Sequence, residues 1–228
     1  MNAPVSFGKS HPVFATPRAL STSPYKPGFY ARFGKRLFET ALVLASLPLV
    51  LPLICVMAGL VALNGGQPFF FQPRITRSGK FFRLVKMRTM CVDAERVLED
   101  KLSSCSKSKA EWDHYQKLQD DPRITPIGSF LRKSSLDELP QLWHVLTGEM
   151  ALIGPRPMMP SQIGLYQGAA YFRTRPGITG LWQVSRRNEG GFAERATMDK
   201  LYLDRMSFAQ DIAIIFRTLK VMSKGTGV

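Results

Sequence analysis

From Thr40 to Leu63 the chain runs for 24 residues without a charge. About 20 apolar residues suffice to cross the hydrocarbon core of a bilayer, so this stretch limits the fold more than any other. It is too long for the apolar region of a signal peptide, and no clear cleavage site follows it. A buried helix of a soluble domain is the other reading, and the length argues against it. A plain span is also a poor fit. Pro48 and Pro52 stand four residues apart on one face near the middle, and each removes a backbone hydrogen bond. Both flanks are basic: Arg32, Lys35 and Arg36 precede the stretch, while Arg74, Arg77, Lys80, Arg83, Lys86 and Arg88 follow it. Under the positive-inside rule both ends favour the cytoplasm. A helix broken at the prolines can enter one leaflet and return, and the carbonyls it frees need partners, for which the Ser46 hydroxyl is a candidate.

The remaining organisation follows from this segment. Residues 1–31 read as a disordered basic arm, 32–66 as a re-entrant membrane hairpin, and 67–228 as a domain lying on the membrane surface. The expected fold class is α+β and mainly helical, with the re-entrant helix hairpin, one small β-hairpin and interfacial amphipathic helices. With 31 Lys and Arg against 17 Asp and Glu, the chain calls for an anionic partner: phospholipid, a phosphorylated substrate or nucleic acid. No helix-turn-helix or zinc-finger pattern supports nucleic acid. Cys55, Cys91 and Cys105 have no metal-like spacing and suit a reducing compartment. His11, His114 and His144 do not cluster, so neither a histidine metal site nor a Ser-His-Asp triad is indicated.

Along residues 67–90, Phe69-Phe70-Phe71 and Phe81 to Val85 flank Arg77-Ser78-Gly79-Lys80, which predicts a hairpin. Residues 92–121 read as mixed-charge helix, broken near 103–108. Then comes Ser134-Ser135-Leu136-Asp137-Glu138-Leu139-Pro140-Gln141-Leu142-Trp143. Ser135 and Glu138 have capping-box spacing, and Leu136, Leu139, Leu142 and Leu146 give an apolar stripe. Pro140 kinks the helix if Ser135 is the cap and is tolerated if Asp137 is. In either case Asp137 lies where a helix dipole favours negative charge. Capping alone would account for the two acids; the loops that follow point to chemistry. Gly154-Pro155-Arg156-Pro157, Arg175-Pro176-Gly177-Ile178-Thr179-Gly180 and Ser185-Arg186-Arg187-Asn188 set arginines beside glycines. Arginine forks suit phosphate oxygens, and glycines let backbone N–H groups come close to them. No P-loop or dinucleotide glycine pattern is present. Residues 207–222 read as a final helix, with Ser207 and Gln210 as a capping box. Ile212, Ile215, Phe216, Leu219 and Met222 form a stripe that suits either a core or an anionic membrane surface.

Taken in order, the basic flank with its Lys-Arg pair, the proline-broken apolar stretch, Lys86-x-Arg88-Thr-Met, Ser-Leu-Asp-Glu-Leu-Pro-Gln-Leu, Gly-Pro-Arg-Pro and Arg-Pro-Gly-Ile-Thr-Gly-Leu-Trp-Gln resemble one family. It is the bacterial sugar transferases, the monotopic polyprenyl-phosphate phosphoglycosyl transferases. The chain is most similar to the short galactosyl-phosphate transferases that start exopolysaccharide repeat units. The resemblance runs from about Lys35 to Met222. It implies transfer of a sugar-1-phosphate from a UDP-sugar to undecaprenyl phosphate with release of UMP, at the inner membrane with the catalytic domain facing the cytoplasm. It implies Asp137 as the nucleophile that takes the phosphosugar and Glu138 as its partner, the two holding Mg²⁺. Lys86, Arg88, Arg156, Arg175, Arg187 and Asn188 match family positions around the phosphates and nucleotide. Two departures stand out. Leu51-Pro52 occupies the step where the family usually has Ser-Pro, and Arg186 replaces the glycine of a usual Gly-Arg-Asn.

The expected partners are therefore a UDP-sugar, undecaprenyl phosphate and an anionic membrane, without nucleic acid; the sequence leaves room for an oligomer. Two rival readings use the same residues: a Mg²⁺-dependent membrane phosphohydrolase with water as acceptor, and a non-enzymatic basic membrane scaffold.

Overall fold

The computed structural model describes residues 27–115, 118–185 and 192–223. The arm expected over 1–31 lies outside the described residues up to residue 26. The chain is mainly helical. After a short wide turn, Tyr30–Gly34, come α1 (Lys35–Ala62), β1 (Phe69–Ile75), β2 (Phe81–Met87), α2 (Ala94–Ser104), α3 (Ser106–Tyr115) and α4 (Pro126–Ser134). A 3₁₀ segment, Leu136–Gln141, leads into α5 (Leu142–Thr147) and β3 (Ala151–Ile153). Then follow α6 (Ala170–Arg173), β4 (Gly177–Thr179), α7 (Leu181–Ser185), α8 (Phe192–Asp204) and α9 (Phe208–Ser223).

These residues gather into two compact units. The first holds the described chain up to Leu47, with Phe71–Val85 and Gln141–Val221; the second holds Pro48–Phe70, Lys86–Pro140 and the residues after Val221. The division inside α1 falls at Pro48, where the expected break begins. The helix itself is continuous through Pro48 and Pro52. Pro48 frees the carbonyl of Leu44. Ser46 Oγ, however, donates to Val43, at 2.8 Å, so the expected hydroxyl partner serves the neighbouring carbonyl. The helix is long and apolar enough to cross a membrane, and several of its leucines face outward: Leu37 is 75% and Leu49 77% exposed.

In the first unit, the hairpin forms as expected. Thr76 and Lys80 close its turn, with the Lys80 carbonyl accepting from Thr76 N–H at 2.8 Å and Gly79 at φ +78°. Phe82 and Leu84 pack with Val43, Val145 and Met150. A further sheet, absent from the sequence reading, pairs β3 and β4 in parallel, Ala151 opposite Gly177 and Ile153 opposite Thr179. Strands of three residues carry too little alternation to be read from sequence. This pair explains the glycines. Gly154 N–H donates to Thr179 O and Gly177 N–H to Pro155 O, both at 2.8 Å. A Cβ on Gly177 would sit 2.1 Å from Gly154 N, and one on Gly180 2.1 Å from Gly154 O. The glycines let two backbones meet, and the amides of Gly154 and Gly177 are spent on that contact instead of being offered to phosphate.

The final helix keeps half of the expected capping box: Gln210 N–H donates to Ser207 Oγ at 3.3 Å, while Gln210 Oε1 is buried without a hydrogen-bond partner among the described residues. Its inward side differs from the expected stripe: Asp211 and Ile214 are buried, while Phe208, Phe216 and Leu219 are more than half exposed. Beneath it lies a cluster of charge. Lys35 Nζ donates to Glu39 Oε1 and to Asp211 Oδ2, both at 2.7 Å, and all three residues are buried. Arg36 donates to the carbonyls of Val145 and Leu146, capping the C-terminal end of α5. The Lys-Arg pair is thus built into the interior.

In the second unit, Val61, Met87 and Leu131 form a core with Met57, Ala58, Ile127 and Leu136 packed on it. The four leucines do not share one stripe, since Leu142 and Leu146 pack in the first unit instead. The helical stretch 92–121 breaks at Cys105, between α2 and α3.

The glycine contacts make a direct prediction. Gly177→Ala should destabilise the protein by about 1–3 kcal/mol, the usual cost of overpacking, because backbone lies on both sides of the added methyl. Gly164→Ala, with nothing within 4 Å, is the control and should leave the melting temperature close to that of the parent. Equal melting temperatures for both variants would remove the close contact from the account.

Candidate active site

The second unit brings Lys86, Asp137 and Glu138 together, and the local chemistry explains how. Lys86 lies in β2, next to Met87, whose side chain is sealed in the core. Just beyond, Thr89 is buried and anchors α4: its carbonyl accepts from Thr125 N–H at 3.1 Å, and its hydroxyl accepts from Arg132 Nε at 2.8 Å. Gly128 permits this contact, since a Cβ there would sit 1.9 Å from Thr89 O. Thr125 caps α4, its Oγ1 accepting from Gly128 N–H at 3.0 Å, with Pro126 in the first turn.

The helix ends at Ser135, whose φ of +56° is left-handed; no other described non-glycine residue has positive φ. Such a conformation costs roughly 1 kcal/mol or more for a residue with a Cβ. An N-cap residue has extended backbone, so the capping box expected of Ser135 and Glu138 does not form; Ser135 instead closes the helix before it. The reversal at Ser135 leads into the 3₁₀ segment that carries Asp137 and Glu138. Pro140 lies at the end of that segment, and α-helical bonding resumes only at Leu142, so the proline interrupts no α-helix.

Lys86 Nζ lies 2.7 Å from Glu138 Oε1 and 3.7 Å from Asp137 Oδ2, so one ammonium bridges the two carboxylates. Asp137 is 8% exposed. Burial pushes its carboxyl above the ordinary range; Lys86 pulls it back down, Glu138 raises it and Arg132 lowers it. Arg132 was missed at the sequence level. It belongs to this site by its field on Asp137, and burial weakens its own hold on a proton while Asp137 and Asp121 restore it. Its one sequence signal is a place five residues before Asp137 in a capped helix.

Arg88 is in the same unit but is directed to another contact. Its guanidinium donates to the carbonyl of Gly65, in the loop that leaves α1, and its Nε is buried without a hydrogen-bond partner among the described residues. Arg156 and Arg175 belong to the first unit. Arg156 is exposed between two buried prolines, and its carbonyl accepts from the Arg195 guanidinium. Arg195 is buried beside Trp182 and Asp199, and Tyr166 OH donates to Asp199 at 2.9 Å. Burial pushes the Asp199 carboxyl up to about 6. Arg175 is half-buried; burial and the like charges of Arg77 and Arg36 lower its pKa, and Glu39 opposes them. Arg187 and Asn188, with Arg186, lie outside the described residues.

Comparison with known proteins agrees over most of the chain. The family model described as bacterial sugar transferase matches residues 30–225. A UDP-galactose-lipid carrier transferase of Erwinia amylovora is 44% identical over 199 residues, covering 86% of this chain and 42% of that protein. The exopolysaccharide production protein ExoY of Sinorhizobium fredii is 41% identical over 197 residues, covering 85% of this chain and 87% of that protein. An undecaprenyl-phosphate galactose phosphotransferase of Salmonella typhimurium is 39% identical over 199 residues, covering 86% of this chain and 42% of its own length. The chain thus spans less than half of two of these relatives and most of the third.

The cap of α4 is testable on its own. Thr125→Ala should cost about 1 kcal/mol of stability, as loss of an N-cap oxygen does, and Thr125→Ser should recover it. Unfolding midpoints in detergent measure both; an unchanged Thr125→Ala midpoint would mean that the cap contributes nothing to holding α4.

Proposed function

The chain belongs to the bacterial sugar transferase family, and from that premise we propose that it transfers a sugar-1-phosphate, galactose-1-phosphate first among the candidates, from a UDP-sugar to undecaprenyl phosphate. UMP is released, and the product begins an exopolysaccharide repeat unit. The observation that carries this reading is the bridge of Lys86 between Asp137 and Glu138, 3.7 and 2.7 Å from their oxygens in that order.

Both substrates are phosphate anions, and a carboxylate must attack between them, so the site needs positive charge where charge develops. Asp137 attacks the phosphorus that bears the sugar. A bond forms from its Oδ to that phosphorus as the bond to the UMP oxygen breaks, and UMP leaves with the electron pair. A phosphate oxygen of the lipid then attacks the same phosphorus and displaces the Asp137 carboxylate. The covalent intermediate divides one hard displacement into two and lets one site serve a soluble donor and a lipid acceptor in turn. Lys86 and Arg132 oppose the effect of burial on Asp137 and favour its charged form.

The carboxylates suit Mg²⁺: they are hard oxygen donors on adjacent residues, already drawn around one cation, the Lys86 ammonium. Two protein carboxylates are the usual protein share for that ion, with water and phosphate oxygens completing its shell. When bound, the ion would neutralise phosphate charge as a Lewis acid. Arg156 and Arg175 would bind phosphate oxygens in the first unit, Arg88 would use its uncommitted Nε, and Arg187 and Asn188 would meet the nucleotide.

We assign the apolar stretch to a re-entrant passage at the inner membrane, with both ends and the catalytic chain on the cytoplasmic side. The basic residues on both flanks of the stretch support this, since both ends then favour the cytoplasm. Exposed Phe29, Phe33, Phe208, Phe216 and Leu219 on the first unit fit contact with the same membrane face.

Two experiments test the proposal. With single cysteines at Ala31 or Ser78 in a cysteine-free background, an impermeant thiol reagent should label neither site in intact cells, and both after permeabilisation. Labelling at Ala31 with protection at Ser78 would establish an ordinary span. For the chemistry, UDP-galactose alone should give a burst of UMP equal to the active enzyme and a mass increase on the peptide containing Asp137. Undecaprenyl phosphate should then restart turnover, and Asp137→Asn should abolish burst and turnover together. Normal turnover with both substrates but neither burst nor adduct would favour direct transfer, while steady release of sugar phosphate whether or not lipid is added would favour the hydrolase.

A further inference from the structure

Two carboxylates in the first unit, Glu39 and Asp211, share one ammonium, that of Lys35. All three are buried, at 1%, 0% and 5% exposure, in the order named. Buried charge is tolerated only when paired and hydrogen-bonded, and here the hydrogen bonds are shared out unequally. Asp211 takes Tyr30 OH and Tyr202 OH, each at 2.7 Å, besides Lys35. Glu39 takes Lys35 and one backbone group from a distant part of the chain, the N–H of Ile153 at 2.9 Å. Ile153 ends β3 and is followed directly by Gly154-Pro155-Arg156-Pro157. The cluster is left with one excess negative charge, and the guanidinium that senses Glu39 is Arg175, on the paired loop, which also bears the repulsion of Arg77 and Arg36.

We propose that Glu39 is a positioning residue for the Arg156 loop: through a charged hydrogen bond to the Ile153 N–H its carboxylate fixes the end of β3, and with it that loop, to the base of the apolar helix. This rests on the reading of Arg156 as phosphate-binding. Glu39 touches no substrate and acts through Ile153. The consequence is a mechanical link between the membrane segment and the phosphate-binding side of the catalytic chain.

Two variants of the full-length protein in detergent test this role. Glu39→Gln keeps an oxygen for the Ile153 N–H but removes the charge. It should raise the KM for UDP-galactose by about tenfold, the effect of weakening one charged hydrogen bond, while kcat changes less than about twofold. Glu39→Ala removes the acceptor as well. Its Ile153 amide should then exchange with deuterium at least about tenfold faster, while Ala151, whose N–H is held by Pro176 O in the same strand, keeps the parent rate. General loosening of the fold would speed both amides alike and would overturn the proposal. So would an unchanged KM in Glu39→Gln, or an unchanged Ile153 rate in Glu39→Ala. Failure of the parent chain to turn over any UDP-sugar would sink the transferase reading instead, and the exchange measurement would then decide the positioning role by itself.

Discussion

The arrangement of the first unit depends on burying an ammonium. Lys35 opens the apolar helix, and its charge is almost wholly removed from water. Such a group has to gather acceptors, and it does so from its own helix through Glu39 and from the last helix through Asp211. Tyr202 brings α8 to the same carboxylate, its phenol held far above the ordinary range by burial and by Asp211. Three helices and, through Ile153, the short parallel sheet thus converge on one buried charge system. Each member answers a charge or donor that the others present, which ties these elements to one another.

The second unit treats charge differently. Its carboxylate pair is partly open, and one lysine is drawn between them. Burial works against ionisation of Asp137, while Lys86 and Arg132 oppose that effect. The left-handed turn at Ser135 is the strained point that serves the arrangement, set between a capped helix and the acidic residues.

Much of this was legible in the sequence. The hairpin announced itself by aromatic runs around Ser78-Gly79, the break at Cys105 by its serines, and the start of α9 by Ser207 and Gln210. The acidic pair and Lys86 were marked by their motifs, and the fold brings those three together. What stayed hidden depends on tertiary partners. The Lys-Arg pair looks like a membrane-flanking charge because a sequence window cannot show that Asp211 lies 176 residues away. The glycines of the arginine loops look like anion-binding glycines because their true partner is another backbone. Ser135 and Glu138 have the spacing of a capping box, yet a cap requires extended backbone, and the preceding helix takes Ser135 for its own end. Arg132 carries no motif; only the folding of α4 against Thr89 directs it toward Asp137.

The Arg156 loop has a thermodynamic consequence. Its backbone is fixed three times over: by the prolines on either side, by the paired strands beneath, and by the Arg195 guanidinium on its carbonyl. The side chain alone is left to the solvent. Immobilising one long side chain costs about 2 kcal/mol at most, whereas ordering a four-residue loop would add roughly 1–2 kcal/mol for each backbone unit. An anion captured there would meet a loop whose conformational entropy was surrendered during folding, so the cost of ordering that backbone would not be subtracted from its affinity.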